Sequence, residues 1–267
     1  MEDVDLQYLF DNWDKMSPLL GAVLVLVIAL LAICAVVSIV ISIYLSISYI
    51  RYNRKQNSAG MTGAEIARYL LDNNGLLDIG VTATGSFLFG NSYSHYFKKV
   101  RLRRLTWKKE SVSSLAMASQ KSCLAILDRQ NDPDMRTRVR LTPFIYFGPM
   151  FCIPLIVVGV ILDALFFNYN GVVAVICILV GVVGYAISFI MSLSVLKTEV
   201  KAQNLAYAEL RRTNLATEDE LQDLQKLFKL YNIEYVNNMI VALLELLLRV
   251  LSIFAKAQVA KNSSSKD

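Results

Sequence analysis

From Met16 to Ile50 the chain carries no charged side chain. A bilayer needs only ~20 consecutive apolar residues to be spanned by a helix, so this run points to a membrane protein before any motif is read. The composition agrees: 18% of the residues are charged and the mean hydropathy is +0.46, against roughly 25% charged in an ordinary soluble domain. A cleavable signal peptide fits poorly, because its start should be basic. Residues 1–15 instead hold five acids, Glu2, Asp3, Asp5, Asp11 and Asp14, against Lys15.

Further apolar segments follow. Residues 19–50 form the first predicted span, longer than a ~30 Å hydrocarbon core requires at about 1.5 Å per residue. A second is expected at Phe144–Phe167, bent by Pro149 and Pro154. The third, Gly171–Leu196, follows the turn "NYNG", so residues 144–196 read as a transmembrane hairpin. A shorter fourth segment, 238–255, carries Glu245 and Arg249 at i,i+4, a pair able to meet on one helix face. It either spans or packs at the interface. Between Arg51 and Pro143 there are sixteen Lys/Arg and seven Asp/Glu, a net of +9. The positive-inside rule places that segment in the cytoplasm. The acidic residues 1–18 then lie outside, and 197–237 return to the cytoplasm. A spanning fourth segment would leave Lys256, Lys261 and Lys266 of the polar tail 256–267 outside, against the rule.

The polar regions are punctuated by helix signals. In "MTGAEIARYLLDNNGL", Thr62 and Glu65 form a predicted capping box and Asn74-Gly75 a stop, with Ile66, Tyr69, Leu70 and Leu76 as the apolar face. Thr217 and Glu220 repeat the device ahead of Leu221, Leu224, Leu227, Phe228 and Tyr231. Residues 80–107 have the β-branched, aromatic and glycine content of short strands. The basic stretch "FKKVRLRRL" reads as an edge strand near Val100–Leu102.

Residue counts remove whole classes of chemistry. His95 is the one histidine, so no mechanism needing two imidazoles is open. Cys34, Cys152 and Cys177 lie in apolar runs, Cys123 stands alone, and no C-x-x-C occurs. No glycine-rich phosphate loop, nucleophile elbow or kinase signature is present. The Lys98–Lys109 cluster matches no nucleic-acid-binding motif and is expected beside anionic lipid. His95, between Tyr93 and Tyr96, is expected to pack within a strand. Asp163, near the outer end of the second span, is an intramembrane carboxylate and so a candidate functional group.

Several segments, in order, resemble a bacterial family, the membrane-embedded neutral zinc metallopeptidases. "MTGAEIARYLLDNNGL" resembles its opening helix, and "YSHYFKKVRL" the segment leading into its edge strand. "SVSSLAMASQKSCLAI" aligns without a gap on the helix that carries His-Glu-Ala-Gly-His. "LKTEVKAQNLAYAELRRTNLATEDEL" resembles the helix holding the Glu of Val-Glu-Phe-Asn-Ala-Ser and the Thr-Glu-Glu-Glu-Leu start after it. The likeness runs from about residue 20 to 255.

The resemblance implies a mainly α membrane protein, three or four transmembrane helices carrying a zincin-like α+β cytoplasmic domain over residues 51–143. Its zinc helix is 111–129. In an H-E-x-x-H helix the two imidazoles hold zinc and the Glu is the general base. Here Gln120 and Leu124 stand at the histidine positions, Lys121 at the base position and Glu199 at the third ligand position. Glutamine is a feeble zinc ligand, leucine none, and a protonated lysine repels the cation. Lys121 is expected to have found a carboxylate partner. A site assembled from His95, Cys123 and Glu199 is the other route to three donors. Otherwise no metal, no cofactor and no catalytic residue is expected. The implied function is that of an inactive scaffold bound to an active paralogue or another membrane complex, with an extended peptide laid on the edge strand. The alternatives are a peptidase with altered chemistry and a transporter or channel subunit using Asp163, Glu245 and Arg249.

Overall fold

The structure, a computed structural model, describes residues 6–85, 90–142, 154–155, 158–159, 161–162 and 172–264. The "NYNG" turn, Asp163 and most of the second predicted span lie outside the described residues. The chain divides into two compact units.

One unit comprises residues 1–40, 147–189 and 236–267. It begins with α1 (Leu6–Asp11) and a 3-10 turn at Trp13–Lys15. It takes in the first part of α2 (Pro18–Arg54), the first part of α7 (Val172–Arg212) and the end of α8 (Glu218–Ser264). Within it α2 and α8 run antiparallel. The Ser17 N–H donates to Gln258 Oε1 at 3.1 Å, and Asn237 Nδ2 donates to Ser38 Oγ at 2.6 Å. Met16, Leu24, Ala255 and Val259 form a small buried cluster at one end. Gly21 lets the Trp13 ring lie against α2, since a Cβ there would sit 2.6 Å from the ring. Elsewhere α2 turns its apolar side chains outward: Ile33, Val36, Ile39 and Val40 are all about 60% exposed. A helix apolar on every face belongs in lipid or a large core, and only 11% of the most apolar stretch of α2 is buried. Among the described residues two helices are long and apolar enough to cross a membrane, Pro18–Arg54 and Glu218–Lys256, with mean hydropathy 3.4 and 2.0. Neither α7 nor α8 breaks where its composition changes from apolar to polar. Neither sequence carries Pro there, so the helical hydrogen bonds continue across the change.

The other unit comprises residues 41–146 and 190–235. Its α3 (Gly63–Asn73) begins at the predicted capping box: the Glu65 N–H donates to Thr62 Oγ1 and the Thr62 N–H to Glu65 Oε2. Gly63 is required by close approach, because a Cβ there would lie 2.1 Å from the Thr106 carbonyl oxygen. The helix stops at Asn74, and Gly75 follows at φ +69°, the left-handed region that glycine enters without steric cost.

Three short strands follow, β1 (Gly80–Thr84), β2 (Ser92–Ser94) and β3 (Lys99–Arg103), in the order β1-β3-β2. β3 pairs parallel with β1 (Val81 opposite Val100) and antiparallel with β2 (Tyr93 opposite Val100). The edge reading of Val100–Leu102 is therefore wrong: β3 is the central strand. Its alternation is clean once the ends are known, with Val100 and Leu102 fully buried and Lys99 and Arg103 exposed. Phe97 and Lys98, which blurred the pattern, belong to the preceding turn, and Leu105 to α4 (Arg104–Lys108).

α5 (Val112–Arg129) is the helix of the resemblance. Ser111 caps it, accepting from the Ser114 N–H at 3.1 Å. Fifteen of its 18 residues are buried, which its Ala- and Ser-rich sequence permits by letting neighbours approach closely. A second short helix, α6, covers residues 133–142. It opens with Asp132, whose Oδ1 accepts from the Asp134 and Met135 N–H groups, and Pro133 at the first helical position. α7 and α8 close the core with Ala202, Ala206, Leu210, Leu221, Leu224, Leu227 and Phe228. The second capping box forms at Thr217 and Glu220. Glu220 also accepts from the Ser58 N–H and hydroxyl, tying the start of α8 to the segment before α3.

Candidate functional site

Three elements of this unit converge on Glu199. It lies on α7 just beyond the apolar stretch, and its position is fixed by contacts on either side. Thr198 Oγ1 donates to the Asp134 carbonyl at 3.2 Å, Lys197 pairs with Asp134 at 2.8 Å, and Lys201 pairs with Asp132. These contacts clamp α7 to the start of α6. One turn further along α6, Arg138 Nη2 reaches Glu199 Oε1 at 2.6 Å. From α5, Lys121 Nζ and Gln120 Nε2 both donate to Glu199 Oε2, at 2.9 and 2.8 Å.

The carboxylate is thus held by two cations and an amide in a nearly closed space. Side-chain exposure is 17% for Glu199, 12% for Lys121 and 17% for Arg138. Burial alone would raise the Glu199 carboxyl, but the charges of Lys121 and Arg138 and their hydrogen bonds outweigh it and hold it down at about 2. Lys121 has the carboxylate partner expected of it, and the partner is Glu199. Glu199 is therefore a buried, ion-paired carboxylate and not a solvated one. Arg138 Nη1 is buried without a hydrogen-bond partner among the described residues.

Leu124, one turn from Gln120, is fully buried in the apolar core and takes no part in this network. The alternative trio does not assemble. Cys123 is fully buried, and burial first, then the charge of Glu209, pushes its thiol up, which disfavours the reactive thiolate. His95 lies in the turn between β2 and β3, not in a strand, and its Nδ1 is 2.7 Å from Asp128 Oδ2. Among the described residues no three His, Cys, Asp or Glu side chains lie together as a metal would need. Zinc sites take at least three protein ligands. The residues around Glu199 do not fit such an ion: one carboxylate, both of whose oxygens already face cations, is the single strong donor.

Arg138 was invisible as a site residue. In the sequence it is one of three arginines ahead of an apolar segment, and no spacing links it to Glu199, 61 positions away. Asp128 was likewise unmarked. Glu245 and Arg249 fall on α8 as expected of an i,i+4 pair, and no ion pair between them is formed.

Residues 27–255 match the family described as "Putative neutral zinc metallopeptidase". A protein of Bacillus subtilis (strain 168), "Putative membrane protease YugP", is 25% identical over 197 residues, covering 74% of this chain and 83% of that one. No solved structure gives a significant match. The match over most of its length makes this chain a member of the neutral zinc metallopeptidase family.

Proposed function

We propose that the chain is a catalytically inactive, multi-pass member of its family that serves as a binding or scaffolding subunit of a membrane complex. The observation that carries this reading is the state of Glu199. The residue at the family's third ligand position is neutralised by Lys121 and Arg138, a lysine and an arginine standing where a metal cation would supply positive charge. Protonated side chains can balance a carboxylate, but they cannot polarise a carbonyl or generate a bound hydroxide as zinc does. The fold is kept by the apolar contacts of α5, which do not depend on metal. A zincin-like domain that keeps its core and loses its ligands is suited to holding another chain. Natural partners are a catalytically active paralogue, given that a relative is named a membrane protease, or another membrane assembly. A peptide adding to the sheet would do so along β1 or β2, because β3 is paired on both sides.

The purified protein should carry well under one zinc per chain after dialysis without chelator, measured by elemental analysis. A tightly held stoichiometric zinc, lost on Glu199→Ala, would overturn the reading.

In this reading three or four helices span the bilayer and residues 51–143 face the cytoplasm. The +9 charge of that segment disfavours translocation and is attracted to the anionic inner leaflet. Single cysteines at Ser92 and Lys109, in a chain whose own four cysteines are replaced, should resist a membrane-impermeant thiol reagent in intact cells and react after permeabilisation. Labelling of either from outside would reverse the topology.

A further inference from the structure

A second polar cluster lies apart from Glu199, at the far end of α5. Asp128 Oδ2 accepts from the Tyr93 hydroxyl at 2.6 Å and faces His95 Nδ1 at 2.7 Å. Beside it, Asp78 is gripped by Arg129 Nη2 at 2.6 Å and Lys98 Nζ at 3.3 Å. These groups line a cleft of about 390 Å³, with Ile79 and Ala125 as apolar wall and the Tyr96 ring edge-on to His95. Small-molecule sites begin at roughly this size.

The hydrogen-bonding inventory of the cleft is lopsided. Both carboxylates are already engaged by two protein groups each. The Arg129 side chain has five N–H donors and that of Lys98 three, and the described side-chain bonds of each go to Asp78 alone. The unused capacity on these two side chains is donor capacity, and both are more than half exposed. Around Asp78 two cations meet one carboxylate, while Asp128, the other carboxylate of the cleft, faces the Tyr93 hydroxyl and His95. His95 completes the set. With Nδ1 turned to Asp128, its Nε2 is the ring nitrogen left to face a bound solute.

We propose that this cleft binds the oxyanion group, carboxylate or phosphate, of a small solute, through Arg129, Lys98 and His95. The proposal stands apart from the inactive-subunit reading, since none of its residues contacts Glu199, and the two can fail separately.

Because His95 is the sole histidine, selective ¹³C-histidine labelling of the full-length protein in detergent gives a single imidazole signal. It is to be titrated with inorganic phosphate, acetate and chloride at fixed pH and ionic strength. Phosphate or acetate should shift the signal saturably and chloride should not, with the tighter of the two naming the anion class. Arg129→Gln and Lys98→Gln, both at exposed positions, should each raise the midpoint, Arg129→Gln by about tenfold or more, as expected when one charge-assisted hydrogen bond is lost. Arg104→Gln, outside the cleft, should leave it unchanged. Shifts with phosphate and acetate no different from those with chloride would overturn the proposal. So would a saturable shift that neither cleft variant weakens, because the anion would then be bound elsewhere.

Discussion

Replacing Glu199 by Gln should destabilise the polar unit by about 3–5 kcal/mol, the cost typical of removing one partner from a buried ionic group. The variant keeps the shape of the side chain and removes its charge. Lys121 and Arg138, each less than a fifth exposed, would then face each other across a neutral amide. Neither can relax fully into water, because α5 and the clamp of Lys197 and Lys201 on Asp132 and Asp134 hold the elements in place. Equilibrium urea unfolding, followed by the emission of Trp107, which packs against the core, reads the loss. A change below about 1 kcal/mol would mean that the network is solvated and holds little. Replacing all three charges by apolar residues (Lys121→Met, Arg138→Met, Glu199→Leu) should recover most of the loss, since a buried ion trio is often no more stable than its hydrophobic equivalent.

The same carboxylate sets an acid limit. Its pKa is depressed in the folded chain, from an ordinary value near 4.5 to about 2. A depressed carboxylate contributes stability that is fully present above its unfolded pKa and is lost as pH falls through the folded one. The contribution, on the order of 3 kcal/mol by linkage, should decline between about pH 5 and pH 2, and Glu199→Gln should flatten that part of the profile.

Rebuilding the ligand set by Gln120→His, Lys121→Glu and Leu124→His should yield neither tight zinc binding nor chelator-sensitive proteolysis, and should cost more stability than any single change above. Leu124 is fully buried among apolar neighbours. An imidazole there loses the leucine packing, worth about 2–5 kcal/mol in comparable truncations, and buries ring nitrogens without partners. Lys121→Glu places a second carboxylate beside Glu199 and leaves Arg138 as the cation paired with Glu199 among the described residues. Metal sites also rely on groups that orient each imidazole through its other nitrogen. The described polar partners of Glu199 are Gln120 and Lys121 from α5 and Arg138 from α6, and the triple change replaces the first two. Zinc content, urea midpoint and cleavage of an unfolded substrate, compared with the unaltered chain, decide the matter. Chelator-sensitive cleavage would show that the scaffold kept its catalytic geometry and that the inactive-subunit reading is wrong.

Local signals were legible to the residue. The caps at Thr62 and Thr217 and the stop at Asn74-Gly75 depend on contacts within four positions, which the order of residues specifies directly. That Gln and Leu stand at positions 120 and 124 is a matter of identity and needed no structure. The apolar run of α2 declared itself for the same reason, being a property of composition along one helix.

What the sequence left open depends on contacts between distant positions. The place of β3 in the sheet could not be read from "FKKVRLRRL", because a short strand with basic ends looks the same at an edge as between two short neighbours. His95 carried no mark of Asp128, 33 positions on, and Glu199 none of Arg138. The sequence by itself determined which residues stand at positions 120, 121, 124 and 199; only the tertiary structure decided that Lys121 and Arg138 meet at Glu199. The physical reason is that a buried charge has to find its counter-charge wherever packing brings one within about 3–4 Å, and packing sets that distance without regard to separation along the chain.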